Sequence, residues 1–408
     1  MKILLHGINF APELTGVGKY TGEMAEWLAA RGHEVRVVTA PPYYPEWKIG
    51  DGYRSRCYTV ERWWGAHIWR CPLWVPDKPG GLRRLVHLAS FVTTSFPVML
   101  RHALWRPDVV WVVEPALFCA PSAWLVARLC GAKAWLHIQD YELDAAFELG
   151  LLKGGVIRWA VAAWENWLMR RFERVSTISE KMLDRARTKG VAKERLMLVP
   201  NWVDAKRLVC SQDSGVYRDG LGIATDAIIV LYSGTMGTKQ GLELIGRAAQ
   251  QLSGNTSLVF VLCGNGPERA NLERQCEGLV NVRFLDLQPL EHFGKLLATA
   301  DIHLLPQQSN AADLVMPSKL AGMLASGRPV VATCAEGTEI ECVVQGRGLV
   351  VPPGDAEALA RAVTQLAADE ELRIRLGAAA RAYAEEHLAF DTIMARFEQA
   401  LEDLVGQA

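Results

Sequence analysis

Short apolar runs alternate with segments of helical spacing along this chain, and the alternation starts twice. Lys2–Ile8 is a short apolar strand. Tyr20–Arg31 places Met24, Trp27 and Leu28 at helical spacing, Gly32-His33 ends that segment, and Glu34–Thr39 is the next strand. Strand, helix, strand in that order implies a parallel sheet, because only a long crossover returns the chain in the same direction. Further strands are expected at Val109–Val113, Ala134–Ile138, Arg174–Ile178 and Leu196–Val199, with helices at Pro121–Leu129, Ile157–Arg171 and Glu180–Lys189. The pattern restarts after Asn201-Trp-Val-Asp204. Strands are expected at Ile228–Tyr232, Ser257–Leu262, Asn281–Phe284, Ile302–Leu305, Pro329–Thr333 and Gly348–Val351. Gly241–Gln251, Ala356–Ala367, Glu370–His387 and Phe390–Val405 read as helices. The predicted fold class is α/β, with two doubly wound Rossmann-like domains. A chain of 408 residues can bury two cores.

The net charge of −1 hides an asymmetry: residues 1–200 carry +8 and residues 201–408 carry −9. Thirteen of the fourteen tryptophans precede residue 200. A basic, Trp-rich half suits an anionic or interfacial partner. No nucleic-acid motif accompanies it, so nucleic acid is not expected. The nine cysteines form no C-x-x-C pair and no zinc spacing. Met1-Lys-Ile-Leu-Leu-His reads as a strand and not a signal peptide, so a cytoplasmic protein is expected. Leu88–Leu100 is too short and too polar to span a bilayer.

After the first strand, Gly16 and Gly18 sit ahead of the expected helix. Glycine there lets backbone approach a ligand and offers free N–H groups. Gly16-x-Gly18-x-x-x-Gly22 resembles a dinucleotide fingerprint. However, the loop holding Pro12 is too long for that tight turn, and Val38-Thr-Ala-Pro-Pro42 supplies no acid for a ribose. The glycines are expected at a ligand, or in an ordinary turn. Further on, Ala134-Trp-Leu-His-Ile-Gln-Asp-Tyr-Glu142 puts His137, Gln139 and Asp140 near the carboxyl edge of a strand, where ligands of open α/β sheets bind. Asp140 is a candidate to accept a hydroxyl proton or hold a sugar hydroxyl. His137 is either functional or a core histidine.

The second half offers three such loops. Leu231-Tyr-Ser-Gly-Thr-Met-Gly-Thr-Lys-Gln-Gly241 contains Gly234, Lys239 and Gln240. Phe260-Val-Leu-Cys-Gly-Asn-Gly-Pro-Glu268 contains Gly264 and Asn265. Arg283-Phe-Leu-Asp-Leu-Gln-Pro289 leaves main-chain groups at Leu285 against which a base could rest. Beyond them, Pro317-Ser318-Lys319 opens a helix, whose first N–H groups and lysine favour an anion. Together they make a case for a nucleoside diphosphate. No G-x-x-x-x-G-K-[ST] is present, which argues against an NTPase, and no D-x-D indicates a metal clamp.

These residues resemble the GT-B glycosyltransferases of family GT4 over nearly the whole chain. The resemblance is carried by Pro12-Glu13 with Gly16-Val-Gly18, Gln139-Asp140, Thr177-Ile-Ser179, Val199-Pro-Asn-Trp-Val-Asp204, the Gly234–Gly241 loop and Gly264-Asn-Gly-Pro267. It continues through Ala300-Asp301, Pro317-Ser-Lys319, Ala325-Ser-Gly-Arg-Pro329 and Val351-Pro-Pro-Gly-Asp355. Within the family the chain looks most like exopolysaccharide enzymes of the colanic-acid type. The resemblance implies an acceptor domain over 1–203, a nucleotide-sugar domain over 204–385, a cleft between them, and a last helix over 386–408 crossing back. It also implies transfer with retention, a nucleotide-sugar donor, no metal cofactor, and a lipid-linked saccharide acceptor at the inner face of the cytoplasmic membrane. GDP-fucose is the donor it favours, with UDP-sugars and other GDP-sugars left open.

The chain departs from the family where a Glu-x7-Glu pattern is common: Leu314 and Gly322 stand there. Thr235 and Gln240 replace an Arg and a Lys, and Gln139 replaces a His. Lys239 and Lys319 are expected to supply the positive charge. Trp63-Trp64, Trp69 and Trp74, the basic Lys78–Arg84 stretch and the apolar Leu85–Leu104 suggest a peripheral membrane contact over 63–106, or else a core helix. Two other functions fit the same pattern. One is a non-catalytic nucleotide-sugar binder. The other is a GT-B epimerase, which would need no acceptor.

Overall fold

The computed structural model describes residues 1–14, 16–77, 80–113, 116–141, 155–204, 215–237, 240–308 and 317–406. The chain divides into two compact units, Met1–Pro200 with Met394–Ala408, and Asn201–Ile393.

The first unit runs β1 (Lys2–His6), α1 (Gly16–Ala30), β2 (Glu34–Thr39), β3 (Thr59–Trp63), β4 (Ala66–Arg70), α2 (Gly81–Ala103), β5 (Val109–Val113), α3 (Ala116–Cys130) and β6 (Lys133–Ile138). It continues with α4 (Gly155–Met169), β7 (Arg174–Thr177), α5 (Glu180–Thr188) and β8 (Leu196–Leu198). Its sheet has the order β3-β4-β2-β1-β5-β6-β7-β8, parallel except for the β3–β4 pair. The second unit holds α6 (Gly215–Gly220), β9 (Ile228–Ser233), α7 (Glu243–Gln251), β10 (Leu258–Cys263), α8 (Arg269–Gln275), β11 (Val282–Leu285), α9 (Leu290–Thr299) and β12 (Ile302–Leu305). It ends with α10 (Ser318–Ala325), β13 (Val330–Thr333), α11 (Glu339–Val344), β14 (Gly348–Val351), α12 (Ala356–Ala368) and α13 (Glu370–His387). Its sheet is β11-β10-β9-β12-β13-β14, all parallel. In both sheets the order reverses beside the first strand of the unit, at β1/β5 and β9/β12, and such reversals open a crevice at the strands' carboxyl ends.

The strands fall within a residue or two of the expected runs, because sheets covered on both faces are built from unbroken apolar sequence. The hairpin β3–β4 was not expected. Its strands are short and polar on one side, as an edge tolerates. The α1 helix starts a turn earlier than its apolar spacing suggested, so Gly16 and Gly18 lie inside its first turn and not in the loop before it.

The last helix, α14 (Phe390–Gly406), is packed with the first unit from Met394 on. Phe397 sets its ring edge-on to Trp135 of β6 at 5.0 Å and to Trp111 of β5 at 6.3 Å. Glu398 accepts from His33 at 2.8 Å and pairs with Arg31 at 3.0 Å. The first unit reaches Pro200 and the second begins at Asn201. Val203 donates to Leu388 and accepts from Phe390, which ties Trp202-Val203 to the second unit.

Candidate functional site

The turns that leave β9, β10 and β11 are locked together by main chain. Gly234 N–H donates to Cys263, Met236 N–H to Asn265, Glu268 N–H to Met236 and Gly264 N–H to Leu285, all at 2.9 to 3.0 Å. Gly264 has φ +150, and a Cβ there would lie 1.9 Å from the Gly234 carbonyl oxygen. Gly266, with φ +153, meets the Met236 carbonyl in the same way. These glycines let one turn lie on another, which the sequence did not separate from room for a ligand.

Arg269 extends the lock. Its guanidinium donates to the Gly264 carbonyl at 2.9 Å, with Asn265 and Asp286 also in reach. Only the adjacent Gly-Pro turn hinted at this residue. Gln240 is turned inward, its side-chain oxygen accepting from Gly237 N–H at 3.1 Å. Leu285 contributes its carbonyl. Lys239 lies outside the described residues, as does Leu314.

Beside the Gly234 turn stands the start of α10. Pro317, with φ −64, precedes its first residue, and no side chain caps it. Ser318 is exposed, while Lys319 is half-buried and leans back over the sheet. Its Nζ donates to the Tyr232 hydroxyl at 3.3 Å and lies 4.4 Å from the ring centre. A Cβ at Gly234 would meet the lysine Cδ at 3.5 Å and Nζ at 3.8 Å, ordinary contact distances that place this cation against the turn. Burial pulls the ammonium down from 10.5 to about 8. Tyr232 is buried and hands its own proton to the Thr235 carbonyl at 2.7 Å. Its position in an apolar strand gave no sign of that role. The result is one cation, poorly solvated and fixed by an aromatic ring, next to free helix N–H groups at a strand reversal. An anion arriving there gains more than it would in water.

Gly322 is buried inside α10. A Cβ there would meet Leu297 at 3.2 Å and Phe293 at 3.7 Å. An acid at this position would enter an apolar contact. Asp301, another family position, serves the scaffold: it accepts from Ile229 N–H at 2.8 Å and pairs with Arg218 at 2.9 Å.

In the first unit, His137 is 3% exposed and stacks on Trp111, with centroids 5.3 Å apart. Its Nδ1 lies 2.8 Å from Ser176 Oγ, which also accepts from Trp135 Nε1 at 2.9 Å. Gln139 Nε2 lies 3.0 Å from His137 Nε2. An amide nitrogen donates, so the imidazole carries its proton on Nδ1. Burial lowers this histidine to about 3. It therefore packs as a neutral histidine of the core that holds Gln139, the second of the two readings its position left open. Asp140, just past β6, is half-buried at the carboxyl edge.

Gly18 is also explained by packing. A Cβ there would lie 2.3 Å from Glu13 Oε2. Glu13 is buried and accepts from Asn9 and from the N–H groups of Tyr43 and Tyr44. Burial raises its carboxyl, and those hydrogen bonds only partly oppose the rise. The loop after β1 is thereby tied to the loop after β2. Gly16, with φ +64, faces the Tyr44 ring. Among the described residues, no group of three or more His, Cys, Asp or Glu is placed to hold a metal ion.

Two doubly wound units, the second with interlocked glycine turns and a desolvated lysine at its strand reversal, define a nucleotide-binding α/β enzyme. Residues 15–202 match the family described as glycosyl transferase 4-like domain, and residues 213–383 match glycosyl transferases group 1. The chain is 43% identical over 407 residues to the putative colanic acid biosynthesis glycosyl transferase WcaI of Escherichia coli (strain K12), spanning 97% of this chain and 98% of that one. Sucrose-phosphate synthase from Thermosynechococcus elongatus has a similar fold, with TM-score 0.75 at 19% identity over all of both chains. Anabaena Alr3699/HepE in complex with UDP matches with TM-score 0.72 at 16% identity, over 99% of this chain and 100% of that one. The chain belongs to the GT4-like glycosyltransferases of GT-B fold, enzymes that take a sugar from a nucleotide-sugar donor.

Proposed function

We propose that this glycosyltransferase moves a hexose, with fucose from GDP-fucose as the first donor to test, onto a lipid-linked saccharide in exopolysaccharide biosynthesis. It does so with retention, without a metal, in the cytoplasm at the inner face of the membrane. The observation that carries this reading is Lys319, desolvated beside Gly234 at the head of α10. In same-face transfer the acceptor oxygen bonds to the anomeric carbon as the bond to the diphosphate breaks. The largest demand is stabilisation of the departing diphosphate. Lys319, the Pro317-Ser318 helix start and Lys239 meet it. The Gly234, Gly264 and Asn265 turns line the same edge, and the Leu285 main chain faces the base. Gln139 and Asp140 receive the acceptor hydroxyl. The likeness to a colanic acid biosynthesis protein supports the polymer class.

The test is a thermal-shift screen against GDP, UDP and their sugars, followed by donor turnover with a lipid-linked acceptor and proton NMR of the new anomeric centre. A shift with GDP ligands, acceptor-dependent turnover and a retained anomer are expected. Binding without turnover would make the protein a binder only. Donor conversion without acceptor would make it an epimerase.

A further inference from the structure

On one face of the first sheet, α2 lies along α3 and α3 reaches α4. Trp124 of α3 meets Trp167 of α4 edge-on at 5.8 Å. The outer side of this helical layer is apolar where solvent should favour charge. Trp159 is 73% exposed, Val156 81% and Leu82 75%. Five arginines, Arg83, Arg84, Arg101, Arg128 and Arg158, stand exposed among them. The three helices contain a single carboxylate, Glu165, which is buried and pairs with Lys189 at 2.6 Å. The solvent side of these helices therefore carries cations and aromatic rings and no acid. No helix among the described residues is long and apolar enough to cross a membrane.

We infer that the α2–α3–α4 layer is a docking face for an anionic phospholipid surface, with Trp159 and Val156 of α4 entering the headgroup boundary. Tryptophan prefers that depth, and each arginine near an anionic leaflet adds attraction that salt screens. A protein partner would have to bring acid to every arginine, whereas a bilayer of acidic lipids presents it everywhere. The inference deepens the membrane part of the proposed function and rests on it. It keeps α2, which lies within 63–106, and extends the contact from the tryptophans of that range to α4, a helix outside it.

The experiment is flotation of the full chain, without donor or acceptor, on vesicles of phosphatidylglycerol with phosphatidylcholine and on phosphatidylcholine alone, at low and high salt. The wild-type chain is expected to float with the anionic vesicles at low salt only. The Val156→Ser/Trp159→Ser double variant and Arg83→Glu are each expected to bind about tenfold more weakly, with unchanged melting temperatures. Wild-type chain that fails to bind at low salt overturns both the membrane contact and this face. Equal binding by wild type and both variants overturns this face alone and leaves a contact through Trp63, Trp64, Trp69 and Trp74 standing. If sedimentation shows the double variant losing a dimer while vesicle binding is unchanged, the face belongs to a second copy of this chain and the inference fails.

Discussion

The Lys319 ammonium donates to the Tyr232 hydroxyl at 3.3 Å while sitting 4.4 Å above the centre of the same ring. The contact fixes a cation that burial would otherwise discourage. In the proposed function the lysine serves the donor diphosphate and not stability. Lys319→Ala is expected to lower turnover of the nucleotide sugar by about 100-fold, the usual cost of losing one preorganised charge donor. Its melting temperature is expected not to fall, because a desolvated charge leaves with it. Steady-state kinetics beside a thermal melt checks both halves. Unchanged turnover would remove Lys319 from the site.

The same lysine gives the enzyme a pH dependence whose sign can be worked out. Its folded value is about 8 against 10.5 unperturbed, lowered by burial. The folded state disfavours the charged form, so the penalty is fully present below about 8 and is relieved as pH rises toward 10.5. Donor binding runs the other way, since a diphosphate needs the charge. Affinity for the nucleoside diphosphate is expected to fall above pH 8 by up to about tenfold per pH unit, while the stability contribution of this group rises. Titration calorimetry across that interval reads the slope. Lys319→Arg, always protonated, should flatten it.

Much of the fold was legible because parallel strands covered on both sides are unbroken apolar words such as Val109–Val113 and Leu258–Cys263. The site was legible only in part. Glycines report that a side chain is disfavoured and not why: at Gly264 the obstacle is the Gly234 carbonyl, at Gly18 it is Glu13, and at Gly234 it is the backbone itself, with φ +137. Tyr232 was missed because its contact with Lys319 joins residues 87 positions apart, and Arg269 because its bonds run to turn residues that apolar periodicity does not report. The Trp159 face was missed because α4 is apolar nearly all round, and periodicity cannot tell its covered side from its bare one.

Because Gly264 combines φ +150 with the Gly234 carbonyl 1.9 Å from any Cβ, neither turn can shift without breaking the other. Gly264→Ala is expected to destabilise the second unit by on the order of 3 kcal/mol. Gly254, with nothing within 4 Å of its missing Cβ, is the control. Its Ala variant should stay within about 0.5 kcal/mol of the parent. Urea unfolding midpoints compare them.

Glu398 anchors α14 to the first unit. Burial works to raise its carboxyl, but the hydrogen bonds from His33 and Arg31 outweigh it and hold the group below 4.5. A depressed carboxyl stabilises the fold above its unfolded value, and that contribution is lost as pH falls through the folded one. Thermal stability should therefore drop below about 4.5. Glu398→Gln should cost about 1–2 kcal/mol at neutral pH and blunt the acid drop. Melting curves over an acid series read this, and an equally steep drop in the variant would refute the assignment.

His137 and Asp140 should separate cleanly. His137 is spent on Ser176 and Gln139 and stays neutral down to about 3. Asp140 stands past the end of β6, half-buried, and its proposed role is to meet the acceptor hydroxyl. Asp140→Asn keeps the shape and removes the base, so kcat is expected to fall by about 100-fold or more with little change in melting temperature. His137→Phe removes partners for Ser176 and Gln139 inside the core, so stability should fall by about 1–3 kcal/mol. Any loss of rate should follow the loss of folded protein, with no new inflection in the pH–rate profile. Turnover per folded molecule decides between them. A pH-dependent defect confined to His137→Phe would return the histidine to the chemistry, and an active Asp140→Asn would remove the aspartate from it.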